Sequence, residues 1–262
     1  AAQALILLVF WRRVGLKIRL NFGWRGVGLR PAAKAASWTL GMVLVTQIGG
    51  LVQTIVASTT VAARETYGLA VASIAATTTA WLIFMLPHSV VTVSVATAYF
   101  TKMSEHVQKK QIHLMKVDLR ASLRIVVLVN TFSSIALILL SLPVARVFVG
   151  EFGSTVALGN VLFATMFGLI PFGMVFMFQR AFYALEDTRT PFVFTSVQIV
   201  FHIAGSIYLF FNMESQFLVM SLAGLTSFTI LIQALTAYLL LRRRIGEIGA
   251  APKGHALTLR VI

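Results

Sequence analysis

Cysteine is absent from the 262 residues, which excludes disulfides and thiolate metal sites without fixing a compartment. Charge is scarce too. Only 11% of the residues are charged, against about 25% in a soluble globular domain. Acids are the rarest of these: Glu65, Glu105, Asp118, Glu151, Glu186, Asp187, Glu214 and Glu247 all lie in polar segments or at the ends of apolar runs. Paired carboxylates, a nucleophile beside a base and a glycine-rich phosphate loop are all missing, so the chain does not read as an enzyme and no cofactor is expected. His106 and His113 match no common zinc spacing and read as a solvated pair, so no metal site is expected.

Apolar sequence is plentiful: 58% of the residues are hydrophobic and the mean hydropathy is +0.88. Six stretches are long enough to cross about 30 Å of hydrocarbon. They run about Ala35–Ala63, Gly68–Phe100, Ile125–Val149, Thr155–Ala184, Phe192–Phe211 and Phe217–Leu241. The fold class expected is all-α, a polytopic bundle of six transmembrane helices. Pro87 interrupts the second span, and Gly168 to Gly173, with Pro171, interrupts the fourth. A proline inside a helix removes one backbone hydrogen bond. Both positions are therefore bends, either static or the hinge candidates of an alternating-access lobe.

The 22 Lys and Arg are distributed unevenly, with a net charge of +14. If successive loops alternate sides, 20 of the 22 fall on one side, and only Arg64 and Arg146 on the other. The positive-inside rule makes that side cytoplasmic, with both ends of the six-span region inside. The charge follows topology, so its partners are membrane lipids rather than nucleic acid. In the basic segment Thr101–Arg124, Ile112, Met115, Leu119 and Leu123 recur at helical spacing, which predicts a short amphipathic helix on the inner surface.

The chain opens at Ala1 with a short apolar run, Ala4–Trp11, followed by Arg12 and Arg13. This order is the reverse of a signal peptide and reads as the end of a truncated helix in a fragment of a longer protein. Three regions are expected: residues 1–34, a truncated helix end and basic cytoplasmic linker; residues 35–244, the six-helix lobe; residues 245–262, a cytoplasmic tail.

Polar residues within spans are costly in hydrocarbon and are expected to face an interior or a cavity. These are Gln47 and Gln53, His88, Asn130, Asn160, the i, i+4 pair Gln198 and His202, and Gln233 with Thr226 and Thr229. One reading is interhelical hydrogen bonding, at about 1 kcal/mol or less each. The other gives Gln53, Gln198 and His202 a further role, since histidine titrates near neutral pH. Small residues crowd the second span, from Ala72 and Ser73 to Ser94 and Ala96, and fit either close helix contact or a smooth cavity wall.

Two stretches carry a resemblance. Ala80 to Val90, with its Leu86-Pro87, and on to Thr97-Ala98-Tyr99-Phe100, resembles the eighth helix of the MurJ (MviN) lipid II flippases. Gln179 to Ala184 followed by Asp187-Thr188-Arg189-Thr190-Pro191 resembles that family's link between helices ten and eleven, and Ile55 to Ser58 fits the end of its seventh helix. The resemblance implies one lobe of a two-lobe exporter that moves undecaprenyl-pyrophosphate-linked peptidoglycan precursor across the plasma membrane by alternating access. Its implied partners are that precursor, a first lobe outside this chain, and cell-wall synthesis proteins. Alternatives are an exporter of another lipid-linked glycan or a drug, and a non-transporting scaffold for cell-wall enzymes. The charged residues that many members carry before the Leu-Pro are replaced here by Trp81, Leu82 and Met85. The counterparts of a sodium site in some relatives are the uncharged Gln53, Gln198 and His202, the coupling-ion candidates. Arg180 and Arg189 match the motif and, with Asp187 and His88, are the substrate or gate candidates. For the two arginines, snorkelling and capping at a helix end is the plainer role.

Overall fold

The computed structural model of the chain describes residues 29–61, 65 and 71–248. The short apolar run at Ala4–Trp11, most of the basic linker, the link Arg64–Tyr67 except Glu65, and all but the start of the tail lie outside the described residues. The chain divides into two units, 1–36 and 37–262. Of the first, the described residues form the opening turns of helix α1 (Leu29–Ser58). The second holds every other helix among the described residues.

After α1 come α2 (Ile74–Pro87), a π-helical turn (His88–Thr92), α3 (Val93–Gln108), α4 (Ile112–Leu139), α5 (Ser141–Phe148), α6 (Phe152–Met166), α7 (Leu169–Ala184), α8 (Arg189–Asn212) and α9 (Leu218–Ile245). Five helices among the described residues are long and apolar enough to cross a membrane, and the bent pair α6 and α7 makes a sixth. Their outer faces carry large exposed apolar side chains such as Leu128, Phe132, Leu139 and Phe211. In water such a surface would aggregate; in lipid it is the solvated face.

Apolar burial falls into two clusters. One joins Val56, Ile83, Phe84, Leu158, Leu162, Leu169 and Leu222. The other joins Met103, Met115, Leu119, Phe178, Phe182, Phe194 and Leu241. On α9 and α4 buried polar residues lie between the two, Ser227, Thr229 and Gln233 on the first and Asn130 and Ser134 on the second. Fully buried Ala80, Ala96, Ala181 and Ala237 lie in or beside these contacts. Small residues of this kind allow the close van der Waals approach that drives helix association in lipid.

Four expectations are corrected. The segment Thr101–Arg124 holds no separate surface helix: α3 continues to Gln108 and α4 begins at Ile112, the first three turns of a spanning helix. The periodicity there is real, but Met115 and Leu119 are fully buried among Met103, Phe178 and Phe182. Their apolar face is therefore satisfied within the lobe rather than by lipid. The third span ends at Leu139, and Ser141–Phe148 forms the separate short helix α5. Polar residues do not all turn inward either: Gln47 and Asn160 are exposed. His106 is also not a free solvated group, since its Nε2 lies 3.2 Å from Asp118 Oδ2 and clasps the α3–α4 turn.

The two prolines act differently. Pro87 is followed by a wide turn in which Val93 N–H donates to His88 O. The helix thus continues as one span of 35 residues, Ile74–Gln108. The missing proline N–H is absorbed by one expanded turn rather than by a break. Pro171 stands in the first turn of α7, where no N–H is required, and the bend of 45° between α6 and α7 falls just before it.

Around the break before Pro171, side chains of neighbouring helices add donors to backbone carbonyls, some of which, such as Thr165 O, also keep a backbone partner. Ser227 Oγ donates to Ala164 O and Thr165 O at 2.8 and 3.1 Å. Ser134 Oγ donates to Met166 O at 2.8 Å. Asn130 Nδ2 donates to Leu169 O at 3.2 Å. Asn130 also bonds Thr92 Oγ1 in the wide turn, at 3.3 Å. One side chain thus joins the two irregular points of the lobe.

Candidate functional site

A cavity of about 620 Å³ opens within the lobe, between α1 and the helices α2, α7, α8 and α9. It exists because α1 packs loosely. α1 meets α8 where Trp38 touches Phe192, at 5.3 Å between ring centroids, and where Gly41 and Gly49 pass Phe192 and Ile199. A Cβ on Gly49 would lie 2.8 Å from Ile199 Cδ1. Glycine is what allows that close approach.

Among the described residues the lining holds no Lys, Arg, Asp or Glu. One wall is aromatic: Trp81 from α2 and Phe172 and Phe176 from α7. Trp81 stacks on Phe84 at 5.0 Å and meets Phe172 edge-on at 5.8 Å. Facing it are hydroxyls and amides, among them Thr46, Gln53 and Thr54 of α1, Thr78 of α2, Gln179 of α7, Gln198 and His202 of α8, and Thr226 and Gln233 of α9.

All three coupling candidates line this cavity. Gln198 Nε2 donates to Thr229 Oγ1 at 3.4 Å, and His202 Nδ1 lies 3.5 Å from the same oxygen, so α8 and α9 share one buried polar contact. Gln233 Nε2 donates to Thr195 Oγ1 at 3.1 Å one turn away. Gln53 stands apart on α1 with no hydrogen-bond partner among the described residues. With no carboxylate among the described lining residues, a sodium ion finds no anionic ligand at this group, so these residues do not fit that ion well.

The substrate or gate candidates lie elsewhere. His88 is buried behind the aromatic wall, its ring 4.6 Å from Phe172 and 5.1 Å from Phe176, with Nδ1 unpartnered. Arg180 lies one turn beyond Phe176, its guanidinium 4.8 Å from that ring and 5.8 Å from Phe100. It pairs with no carboxylate among the described residues. Arg189 stacks over Trp38 at 5.6 Å. Asp187 is committed to local structure: Oδ1 accepts from Arg189 N and Thr190 N at 3.0 Å each, and Oδ2 from Thr190 Oγ1 at 2.7 Å. The preceding turn, with Glu186 at φ 58, closes α7 through Asp187 N to Phe182 O at 2.9 Å. The Asp187–Pro191 stretch is therefore a helix stop followed by a helix start.

Sequence reasoning did not single out Ser134 and Ser227, which hold the broken span, or the aromatic wall. The serines gave no signal beyond being hydroxyls within apolar runs. Trp81 was visible as a departure from the family's charged position and Phe172 as part of the interruption at Gly168 to Gly173, but nothing in the sequence placed the two on one wall.

The helices and the cavity they enclose define a polytopic helical membrane protein. A family model described as lipid II flippase MurJ matches residues 1–260. The chain belongs to the lipid II flippase MurJ family. A probable lipid II flippase MurJ of Rhizobium meliloti (strain 1021) is 27% identical over 224 residues, 80% of this chain and 39% of that protein. The lipid II flippase MurJ of Thermosipho africanus (strain TCF52B) is 29% identical over 118 residues, 44% of this chain and 24% of that protein. Among solved structures, a lipid II flippase MurJ in an inward closed conformation superposes with a TM-score of 0.65 at 20% identity. That match covers 92% of this chain and 50% of the solved one, and it shows the fold. The chain spans half or less of the length of these relatives.

Proposed function

We propose that this chain acts as one lobe of a lipid II flippase, carrying undecaprenyl-pyrophosphate-linked peptidoglycan precursor across the plasma membrane by alternating access. The observation that carries this reading is the family match along residues 1–260. The lobe is residues 35–244, with 1–34 as cytoplasmic linker to a partner lobe and 245–262 as cytoplasmic tail. The skewed basic residues support that orientation. The physical task is to shield a charged sugar-diphosphate headgroup from hydrocarbon while the prenyl tail stays in lipid.

In this scheme Arg180 contacts the diphosphate, Arg189 and Asp187 shape the neighbouring helix start, and His88 braces the wall between them and the cavity. Coupling is assigned to Gln53, Gln198 and His202. A proton on His202 or the membrane potential fits this uncharged group better than sodium does. Pro87 and Pro171 remain the bend positions. The wide turn after Pro87 is the softer of the two, because the break before Pro171 is held by Ser134, Ser227 and Asn130.

The deciding experiment is complementation. The whole native gene product is expressed in bacteria depleted of their own flippase, and precursor on the outer leaflet is measured with an impermeant enzyme that cleaves it. Restored growth with precursor outside is expected. Correct insertion without either would overturn the reading, and rescue that survives blockage of the cavity would favour a scaffold. In the same assay Pro87→Ala restores the missing N–H and straightens the wide turn. Translocation should then slow by about tenfold, equivalent to about 1.4 kcal/mol of barrier, with normal insertion. Pro171→Ala should have a smaller effect. Unchanged rates in both variants would remove the hinge assignment.

A further inference from the structure

The structure assigns the cavity of this lobe to a neutral sugar ring, held apart from the diphosphate. The inference rests on the flippase reading above and goes further by naming which part of a lipid-linked glycan this lobe grips. Three properties of the cavity converge on it. First, a volume of about 620 Å³ lies within the roughly 300–1,000 Å³ typical of small-molecule sites. Second, Trp81, Phe172 and Phe176 offer aromatic surface to an incoming ligand. The C–H face of a pyranose is apolar and packs flat on such rings.

Third, the polar groups of the described lining are hydroxyls and amides without formal charge, apart from the His202 imidazole. Thr54 and Thr78 donate their hydroxyl protons to carbonyls of their own helices, at 2.9 and 3.1 Å. Thr226 does the same at 2.9 Å, and Thr46 likewise toward Met42 O. Each threonine oxygen keeps its lone pairs but has used its proton, so these hydroxyls offer acceptors, while the unpartnered Gln53 amide offers N–H donors and a carbonyl acceptor together. A ligand that suits this surface brings O–H and N–H donors and no net charge. Sugar hydroxyls and an N-acetyl amide do so. Among the described lining residues a phosphate finds no Lys or Arg and an ammonium group finds no acid, and a hydrocarbon tail would leave the polar groups unmatched. The diphosphate instead falls to Arg180, which adjoins Phe176 at the far end of the same aromatic wall.

The test uses the whole native protein in lipid nanodiscs, with every tryptophan except Trp81 replaced by phenylalanine. The probe is N,N′-diacetylchitobiose, an uncharged disaccharide of N-acetylated sugars. It should change Trp81 emission saturably, and it should raise the thermal unfolding temperature of the unsubstituted protein. Trp81→Ala should weaken that protection by about tenfold, about 1.4 kcal/mol. Asn160→Ala, at an exposed position outside the cavity, should leave it intact. Inorganic pyrophosphate should leave Trp81 emission unchanged. The assignment is overturned if the disaccharide neither shifts emission nor protects. It is also overturned if pyrophosphate alone shifts emission, or if brominated acyl chains quench Trp81 and the sugar fails to reverse the quench. Sugar binding without translocation would leave this subsite standing and remove the flippase reading. Translocation at the normal rate in Trp81→Ala would do the opposite.

Discussion

Gly173→Val is expected to destabilise the lobe by about 2–6 kcal/mol. A Cβ at this position would lie 2.3 Å from Asn130 Nδ2 and 2.8 Å from Val126 Cγ1. Neither neighbour can withdraw freely, since both residues are fully buried on α4. Overpacking of this kind costs about 1–3 kcal/mol. The displaced Asn130 amide also loses its bonds to Leu169 O and Thr92 Oγ1, and an unsatisfied buried polar group adds about 1–3 kcal/mol. The variant therefore attacks the packing of α4 against α7 and the clasp on the broken span together. Denaturant unfolding in mixed micelles measures the loss. Gly50→Ala is the matched control, because its Cβ would meet nothing within 4 Å, and the gain in helix propensity should make it neutral or slightly stabilising. Equal stability of Gly173→Val and the unsubstituted protein would show that Asn130 contributes nothing at the break.

Arg180→Ala is expected to slow translocation by about ten- to hundredfold while leaving folding nearly unchanged. Phe100 and Phe176 hold the guanidinium from two rings, so its orientation is fixed while its N–H donors are not committed to a carboxylate. Charge-assisted hydrogen bonds of the sort a phosphate would make are worth about 1.5–3 kcal/mol, which sets the size of the loss. The position is partly exposed, so removing the side chain breaks no buried ion pair. Arg180→Lys separates the proposed role from simple snorkelling. A lysine keeps the charge and reaches the interface but lacks the planar fork that stacks and bonds in pairs. It should therefore recover little of the activity. Full recovery by lysine would reduce Arg180 to an interfacial anchor.

The long apolar runs and skewed basic residues made the helical membrane class readable from the chain, because hydrocarbon admits only backbones that satisfy themselves within a helix. The bend near Pro171 was readable for a local reason as well, as proline and glycine act on their own turn. Pro87 was legible only as an irregularity: whether the helix breaks there or widens depends on Thr92 meeting Asn130, 38 residues further along. The turns beginning at Ile112 show the same limit. Their periodicity marks an apolar face, yet whether that face meets lipid or Phe178 and Phe182 is set by where α7 lies. Gln198 and His202 could be paired by helical spacing, but Thr229, which both of them approach, belongs to α9. The cavity lies furthest from any sequence pattern. Trp81, Phe172 and Gln53 belong to three helices and become one wall and its facing side only after packing. Spacing along a helix sets which residues share a face; which faces meet is a matter of contacts between segments distant in the chain.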